Sequence, residues 1–249
     1  MSRFHGTRPV FERELKAYFA TPLGYVFVVI FIVASGYLTV SRDFGRFLDI
    51  RQANLDSFFT SIPWIYVVLV PAVAMRLWAE ERKSGTVELL LTLPITLPGA
   101  YLGKFLAGWS FLGGSLLLTW PVVYQVARLG DPDWGVILTG YLGCFLSAGA
   151  FLSIGMLFSA ISKNQVVAFI LGVAASVGFL LLGLPETLDF VSRFLGGYVA
   201  QLLASLSLVD HFESLTRGVV ELRTLLFFLL FICGWLSGGM LVLRETKAN

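Results

Sequence analysis

Apolar residues gather into six long runs, separated by short polar breaks. The runs are Leu23–Val40, Ile62–Trp78, Tyr101–Val126, Gly135–Ile161, Val166–Leu184 and Thr224–Leu243. A membrane-spanning helix takes about 20 mostly apolar residues, so this pattern predicts six spans. Ahead of the first run, Phe11, Leu15, Tyr18 and Phe19 recur at helical spacing, with Glu12, Arg13 and Lys16 opposite and Glu14 between them. That spacing predicts an amphipathic helix lying in the membrane interface, and Thr21-Pro22 turns the chain into the bilayer. Two more segments are too greasy for simple loops. In Arg42–Ser61, residues Phe44, Leu48, Leu55, Phe58 and Phe59 share one side, away from Asp43, Arg46, Asp49 and Asp56. Pro185–Arg223 includes a stretch, Phe194–Leu208, that Gly196-Gly197 and Gln201 interrupt too often for a seventh span. Both are expected to dip into the outer leaflet or cap the bundle.

Composition agrees with the pattern. Of 249 residues, 57% are hydrophobic and 14% charged, against roughly a quarter charged in soluble domains. The expectation is a single all-α polytopic membrane domain over residues 1–249, with no separately folding soluble part, no low-complexity segment and no internal repeat. Met1–Thr21 carries Arg3, Arg8, Arg13 and Lys16 before any long apolar run, unlike a secretory signal. A formal charge of +2 gives no footprint for nucleic acid. Cys144 and Cys233 both fall in apolar runs and read as buried free thiols.

The basic residues set an orientation. With both termini inside, the inner set is Arg3, Arg8, Arg13, Lys16, Arg76, Arg82, Lys83, Lys104, Lys163, Arg244 and Lys247, which is 11 of the 18. The outer segments are longer and carry only 7. The termini are therefore expected in the cytoplasm.

Several chemistries are poorly supplied. Within the runs, ionisable groups occur only near span ends, at Arg76 and Lys104, whereas ion-coupled carriers keep carboxylates or histidine in mid-membrane. The two histidines, His5 and His211, are far apart, and no HExxH pair exists. Asp210-His211-Phe212-Glu213 could bind a metal or act as acid/base, but reads first as a polar patch on an interfacial helix, and no convergent catalytic set can be assembled around it. A P-loop is absent too, because Gly99-Ala-Tyr-Leu-Gly103-Lys104-Phe105 has the wrong glycine spacing and ends in Phe105 where Ser or Thr must reach magnesium. Gly99-x-x-x-Gly103 and Gly234-x-x-x-Gly238 suit close helix packing instead.

The most unusual segment is WAEERKSGTVELLLTLPIT, Trp78–Thr96. A charged knot, Glu80-Glu81-Arg82-Lys83, leads through Ser84-Gly85-Thr86 into Val87–Leu93. Thr86 can cap that short run, Glu88 sits near its positive dipole end, and Pro94 stops it. Val87, Leu89, Leu90, Leu91 and Leu93 cover nearly the whole circumference. A two-turn apolar helix needs a greasy partner, either its own bundle and the lipid interface, or a groove on a separate cytoplasmic protein.

Trp78–Pro94, followed by Leu102-Gly-Lys-Phe-Leu-Ala107, resembles the signature of ABC-2 type transporter permeases. Leu157–Ala168 is a second match. Asp210–Arg223 is similar to the gliding-motility (Gld) type subgroup and, more loosely, to the permease of nitrous-oxide reductase maturation. The resemblance implies a permease subunit of an ATP-driven transporter in a bacterial inner membrane. It would work as a homodimer with two copies of a cytoplasmic ABC ATPase, with an accessory Gld-type subunit as a further partner. It implies no cofactor on this chain, ATP and Mg residing on the ATPase, and no enzyme activity of its own. By position it assigns Glu80, Glu81, Arg82, Gly85, Thr86, Glu88, Leu90 and Pro94 to a coupling helix that meets the ATPase. It assigns Phe11, Glu12, Glu14 and Leu15 to an interfacial helix that also contacts the ATPase. A scaffold or assembly factor without transport, and an intramembrane enzyme, are the rival classes. The substrate is not legible.

Overall fold

The computed structural model describes residues 6–41, 54–86 and 95–248, the last three by backbone alone. Among them every regular element is a helix. In chain order these are α1 (Thr7–Ala20), α2 (Pro22–Val40), α3 (Asp56–Ala74), α4 (Arg76–Ser84), α5 (Leu97–Leu117), α6 (Trp120–Leu129), α7 (Trp134–Ile161), α8 (Gln165–Leu181), α9 (Pro185–Leu195), α10 (Gly197–Ser205), α11 (Leu208–Thr216) and α12 (Leu222–Ala248).

Among the described residues five stretches are long and apolar enough to cross a membrane: Pro22–Val40, Asp56–Ser84, Leu97–Leu129, Trp134–Ile161 and Leu222–Glu245. The sixth expected span is α8, which has 17 residues and bends by 83° into α9. At about 1.5 Å per residue a helix of that length covers some 25 Å, just short of the hydrocarbon core. The protein is therefore an all-α polytopic membrane protein, as the runs predict. Below, the end of the bundle holding α1, α4 and the start of α5 is called proximal, and the other end distal.

α7 is the axis of the fold, packing against α3, α4, α5, α8, α11 and α12. Its sequence explains this: Gly140, Gly143, Ser147, Ala148, Gly149, Ala150, Ser153 and Gly155 are all buried, so backbones approach closely. Gly155 shows how tight the contact is, since a Cβ there would sit 2.7 Å from Ala74 Cβ and 3.4 Å from Pro71 Cα. Pro71 lies in the last turn of α3, near the point where the helix gives way to α4. α2 buries only the stripe Gly24, Phe27, Phe31, Ser35 and Thr39, and α12 only a similar stripe through Thr224, Phe228, Ile232, Leu236 and Leu243. Their remaining faces are exposed and apolar, as lipid-facing surfaces are.

Three expectations need correction. Phe58 and Phe59 do not lie on an outer surface helix: they open α3 and are fully buried against Tyr141. The span therefore starts near Asp56, because two aromatic rings can be covered only inside the bundle. The Asp210–Glu213 stretch is not a plain surface patch either. In α11, Leu208, His211, Phe212 and Leu215 are buried, and the His211 ring stacks on Phe227 at 3.8 Å. Of the two thiols only Cys144 is buried; Cys233 lies on the exposed face of α12. Phe44 and Leu48 of the first outer segment lie outside the described residues.

Candidate functional site

The proximal end gathers segments far apart in sequence around one buried lysine. Lys104, in the second turn of α5, has a side chain only 3% exposed. Its Nζ lies 3.0 Å from Glu14 Oε1 on α1 and 2.9 Å from Glu81 Oε1 on α4. Arg13 Nη2 closes the group, 2.7 Å from Glu14 Oε1 and 3.4 Å from Glu81 Oε1. Lys104 also sits 5.2 Å above the Trp78 ring, which stacks on Tyr101 at 5.3 Å. The ammonium thus has two carboxylates and an aromatic face around it, the environment a buried cation requires. Glu81 Oε2, also buried, has no hydrogen-bond partner.

Local sequence explains how these groups converge. α1 lies along α5 because Gly103, beside Lys104, leaves room for its backbone: a Cβ there would fall 2.7 Å from Thr7 O. Of the two GxxxG pairs, this one therefore serves close packing, against the interfacial helix instead of another span. Val10 and Tyr18 then bury on α5, where the Tyr18 ring stacks on Phe111 at 4.6 Å and has the Arg76 guanidinium 5.0 Å from its centroid. Burial pushes the Tyr18 hydroxyl above its ordinary range. For Glu14, burial works against the charge, but Lys104 and the hydrogen bonds from Arg13 and Lys104 outweigh it and hold the carboxyl below its ordinary range.

α4 is fastened to the proximal end of α7 by a second set of contacts. Ser159 Oγ accepts from Trp78 N at 3.0 Å and Ala79 N at 3.1 Å, and donates to Met75 O at 2.8 Å. Those amides belong to the first turn of α4, where a helix leaves N–H groups without internal acceptors. One hydroxyl thus uses its donor and both lone pairs to carry the chain across the break between α3 and α4. Arg82 Nη1 donates to Ala160 O, and to Ile161 O at 2.7 Å, placing a cation on the C-terminal carbonyls of α7. Gly85 ends α4 at φ 71, with its N–H bonded to Glu81 O, a left-handed cap that favours glycine.

The sequence-derived residues divide accordingly. Glu14, Glu81 and Arg82 face inward and build the junction, with Leu15 packed against the core. Phe11 is half-buried, Glu12 is exposed and paired with Arg8 at 2.8 Å, and Glu80 is exposed. Thr86 Oγ1 lies 2.9 Å from Ser84 Oγ and donates to Glu81 O at 3.4 Å, so its hydroxyl turns back onto α4. Glu88, Leu90 and Pro94 lie outside the described residues. The flanks of their segment are fixed: Thr86 on α4, and Ile95 against Gly6 at the start of α1, where a Cβ would meet Ile95 Cγ2 at 2.6 Å. Lys104, Arg13, Trp78 and Ser159 were not singled out as site residues from sequence. The available signal was a lysine inside an otherwise uncharged run, beside a glycine.

A family model described as CcmB protein matches residues 13–189. The match covers more than two thirds of the chain and takes in Arg13, Glu14, Glu81, Lys104 and Ser159. Comparison with curated proteins finds no match.

Proposed function

The chain belongs to the CcmB protein family, membrane permease subunits of ABC-type transporters, and on that premise we propose that its proximal junction receives a separate cytoplasmic ATPase. Nucleotide-driven motion enters through the apolar segment Val87–Leu93 and passes into the bundle. The observation that carries this reading is Lys104, which joins α1, α4 and α5 at a buried point. The segment leaves α4 beside Glu81 and re-enters beside Gly6, so a push on it bears on the helices that Lys104 ties together. Arg82 and Ser159 extend the connection to α7, the axis of the fold. A surface helix held by solvent-exposed contacts alone would move independently of the spans.

The rest of the assembly follows from this reading. The proximal end faces the cytoplasm of a bacterium, the protein sits in the inner membrane, and it drives export or transmits force. Two permease copies pair so as to offer matching sites to two ATPase subunits, C2 symmetry being the commonest closed arrangement. ATP and Mg belong to the ATPase. The likeness to the Gld-type subgroup rests on Asp210–Arg223, beyond the matched residues, so an accessory Gld-type subunit is the most dispensable part of the assembly.

Leu90→Asp tests the proposal. An unpaired carboxylate forced into an apolar groove costs a few kcal/mol (about 1–3 on protein scales), enough to weaken docking about tenfold or more. The expected result is a folded, membrane-inserted permease that no longer retains the ATPase on co-purification. Wild-type retention together with wild-type hydrolysis would leave the segment as a plain interfacial helix and favour the scaffold reading.

A further inference from the structure

A polar recess of about 340 Å³ lies at the distal end, between α10, α11 and the start of α12. Two of the side chains that line it are buried, His211 at 9% exposure and Thr224 at 2%. The His211 ring lies flat on Phe227, with centroids 3.8 Å apart, and its Nδ1 is 2.9 Å from Ser207 O. A carbonyl oxygen only accepts, so Nδ1 donates there and the neutral ring presents Nε2 as an acceptor. Among the described residues neither His211 Nε2 nor Thr224 Oγ1 has a protein partner. Thr224 stands in the first turn of α12. The first backbone bond of that helix runs from Leu225 N to Glu221 O at 3.2 Å, so the N–H groups of Leu222, Arg223 and Thr224 precede its ladder. They form the positive end of a 27-residue helix. Arg223 also lines the recess, as do Asp210 and Glu221, yet no ion pair joins the guanidinium to either carboxylate.

We propose that this recess binds a zwitterion that joins an N–H-bearing ammonium to an anionic oxygen group. The two buried groups decide the chemistry. His211 Nε2, an acceptor shut away from bulk water, requires an N–H donor, which a quaternary ammonium lacks. The Thr224 hydroxyl, the leading N–H groups of α12 and Arg223 together offer donors and positive charge to an anionic oxygen. The charges on the rim exclude simpler ligands. A bare anion would meet Asp210 and Glu221 against one guanidinium, and a bare cation would meet Arg223 and the helix start. Among the described residues no three His, Cys, Asp or Glu side chains come together as a metal site, so Nε2 acts here as a hydrogen-bond acceptor. A phosphoethanolamine lipid head group and a free zwitterion offer the same chemistry. Leu206, Val220 and Leu222, adjacent in sequence to lining residues, are apolar and exposed, which places the recess beside an apolar surface and favours the lipid. The site is separate from the proximal junction, and its test reads binding alone, without ATP hydrolysis, so it stands or falls independently of the permease reading.

The test uses the purified full chain in a neutral maltoside detergent, isotope-labelled at its histidine nitrogens. The chain has two histidines, and His5→Gln identifies the magnetic resonance signal of His211. The probes are short-chain phosphatidylethanolamine, phosphatidylcholine and phosphatidylglycerol, together with free O-phosphoethanolamine. The expected result is a saturable shift of the His211 Nε2 signal by phosphatidylethanolamine, at concentrations about tenfold below those needed for either other lipid, as one unmade buried hydrogen bond dictates. Thr224→Val should weaken that binding about fivefold while keeping the preference over phosphatidylcholine. His211→Phe, followed by calorimetry, should erase the preference. Displacement of the lipid by free O-phosphoethanolamine at comparable concentration would identify a free zwitterion as the ligand; retention would identify the lipid. A shift in wild type that does not saturate, or that is equal for the three lipids, would overturn the site, without reference to either variant's folding.

Discussion

The two ends of the bundle use charge differently. At the distal end Arg217 and Glu213 pair at 2.8 Å, one turn apart at the end of α11, with side chains 74% and 52% exposed. At the proximal end Lys104 meets Glu14 and Glu81 at similar distances, but its side chain is 3% exposed and its partners lie on α1 and α4. Distance alone would rank these contacts as equals. Burial separates them, because an exposed pair is screened by water and holds two flexible side chains for about 0–1 kcal/mol. A buried group without its partner has nowhere to place its charge. The proximal network specifies which helices meet, whereas the distal pair decorates a single helix.

The largest difference should come from removing one charge at each end. Lys104→Met removes the buried cation and leaves Glu14 and Glu81 with only the exposed Arg13 beside them, and should cost about 3–5 kcal/mol, read as a fall in thermal midpoint in detergent. Glu213→Ala, at the distal end, should cost under about 1 kcal/mol. Equal losses would erase the contrast. Ser159→Ala should fall between them, at about 1–3 kcal/mol, because two amides and a carbonyl at the break between α3 and α4 lose their partner. Gly103→Ala should cost a similar amount, about 1–3 kcal/mol of overpacking, as its methyl group meets the α1 backbone. A cysteine placed on the α5-facing side of α1 should then label faster than in wild type.

The smallest effect is one of pH. The Glu14 carboxyl is held below its ordinary value of 4.5 in the folded protein. Its stabilising contribution is therefore complete above that value and is lost as pH falls through the lower, folded one. The stability gap between wild type and Glu14→Gln should be present at about pH 7 and close as acid protonates the group, below its ordinary range. A gap that persisted unchanged in acid would mean that the Glu14 charge does not hold α1.

Periodicity and run length were enough to read five of the six expected spans, the sixth being the 17-residue α8 bent into α9, and the helix α1. They placed the start of α3 too late, since a hydrophobic run cannot show that Phe58 and Phe59 are covered by Tyr141 from a distant helix. The candidate site was legible in part. The charged knot drew notice because it interrupts an apolar chain, and Glu81 and Arg82 do belong to the junction. Their direction was not legible: Glu80 and Glu81 are adjacent and chemically alike, yet one faces outward and the other meets Lys104. Glu12 and Glu14 divide in the same way on α1. Such choices depend on partners tens of residues away, and no local pattern in one sequence encodes them. Ser159 was hidden for a related reason, because its value lies in three backbone groups of another helix and not in its own neighbours.

The central claim is that the charges around Lys104 connect the ATPase-docking segment to the bundle. The most direct test is the triple variant Lys104→Met, Glu14→Gln, Glu81→Gln, co-expressed with the ATPase. With Lys104, Glu14 and Glu81 neutral, the charge left in the network is that of Arg13, whose side chain is 56% exposed and can turn to water, and thermal stability should return to near that of wild type. The account predicts that the ATPase still co-purifies, since Val87–Leu93 is intact, but that hydrolysis in the assembled complex no longer responds to the permease, falling at least about tenfold in its stimulated part (about 1.4 kcal/mol of coupling). A triple variant that folds, binds the ATPase and stimulates it as wild type does would contradict the claim.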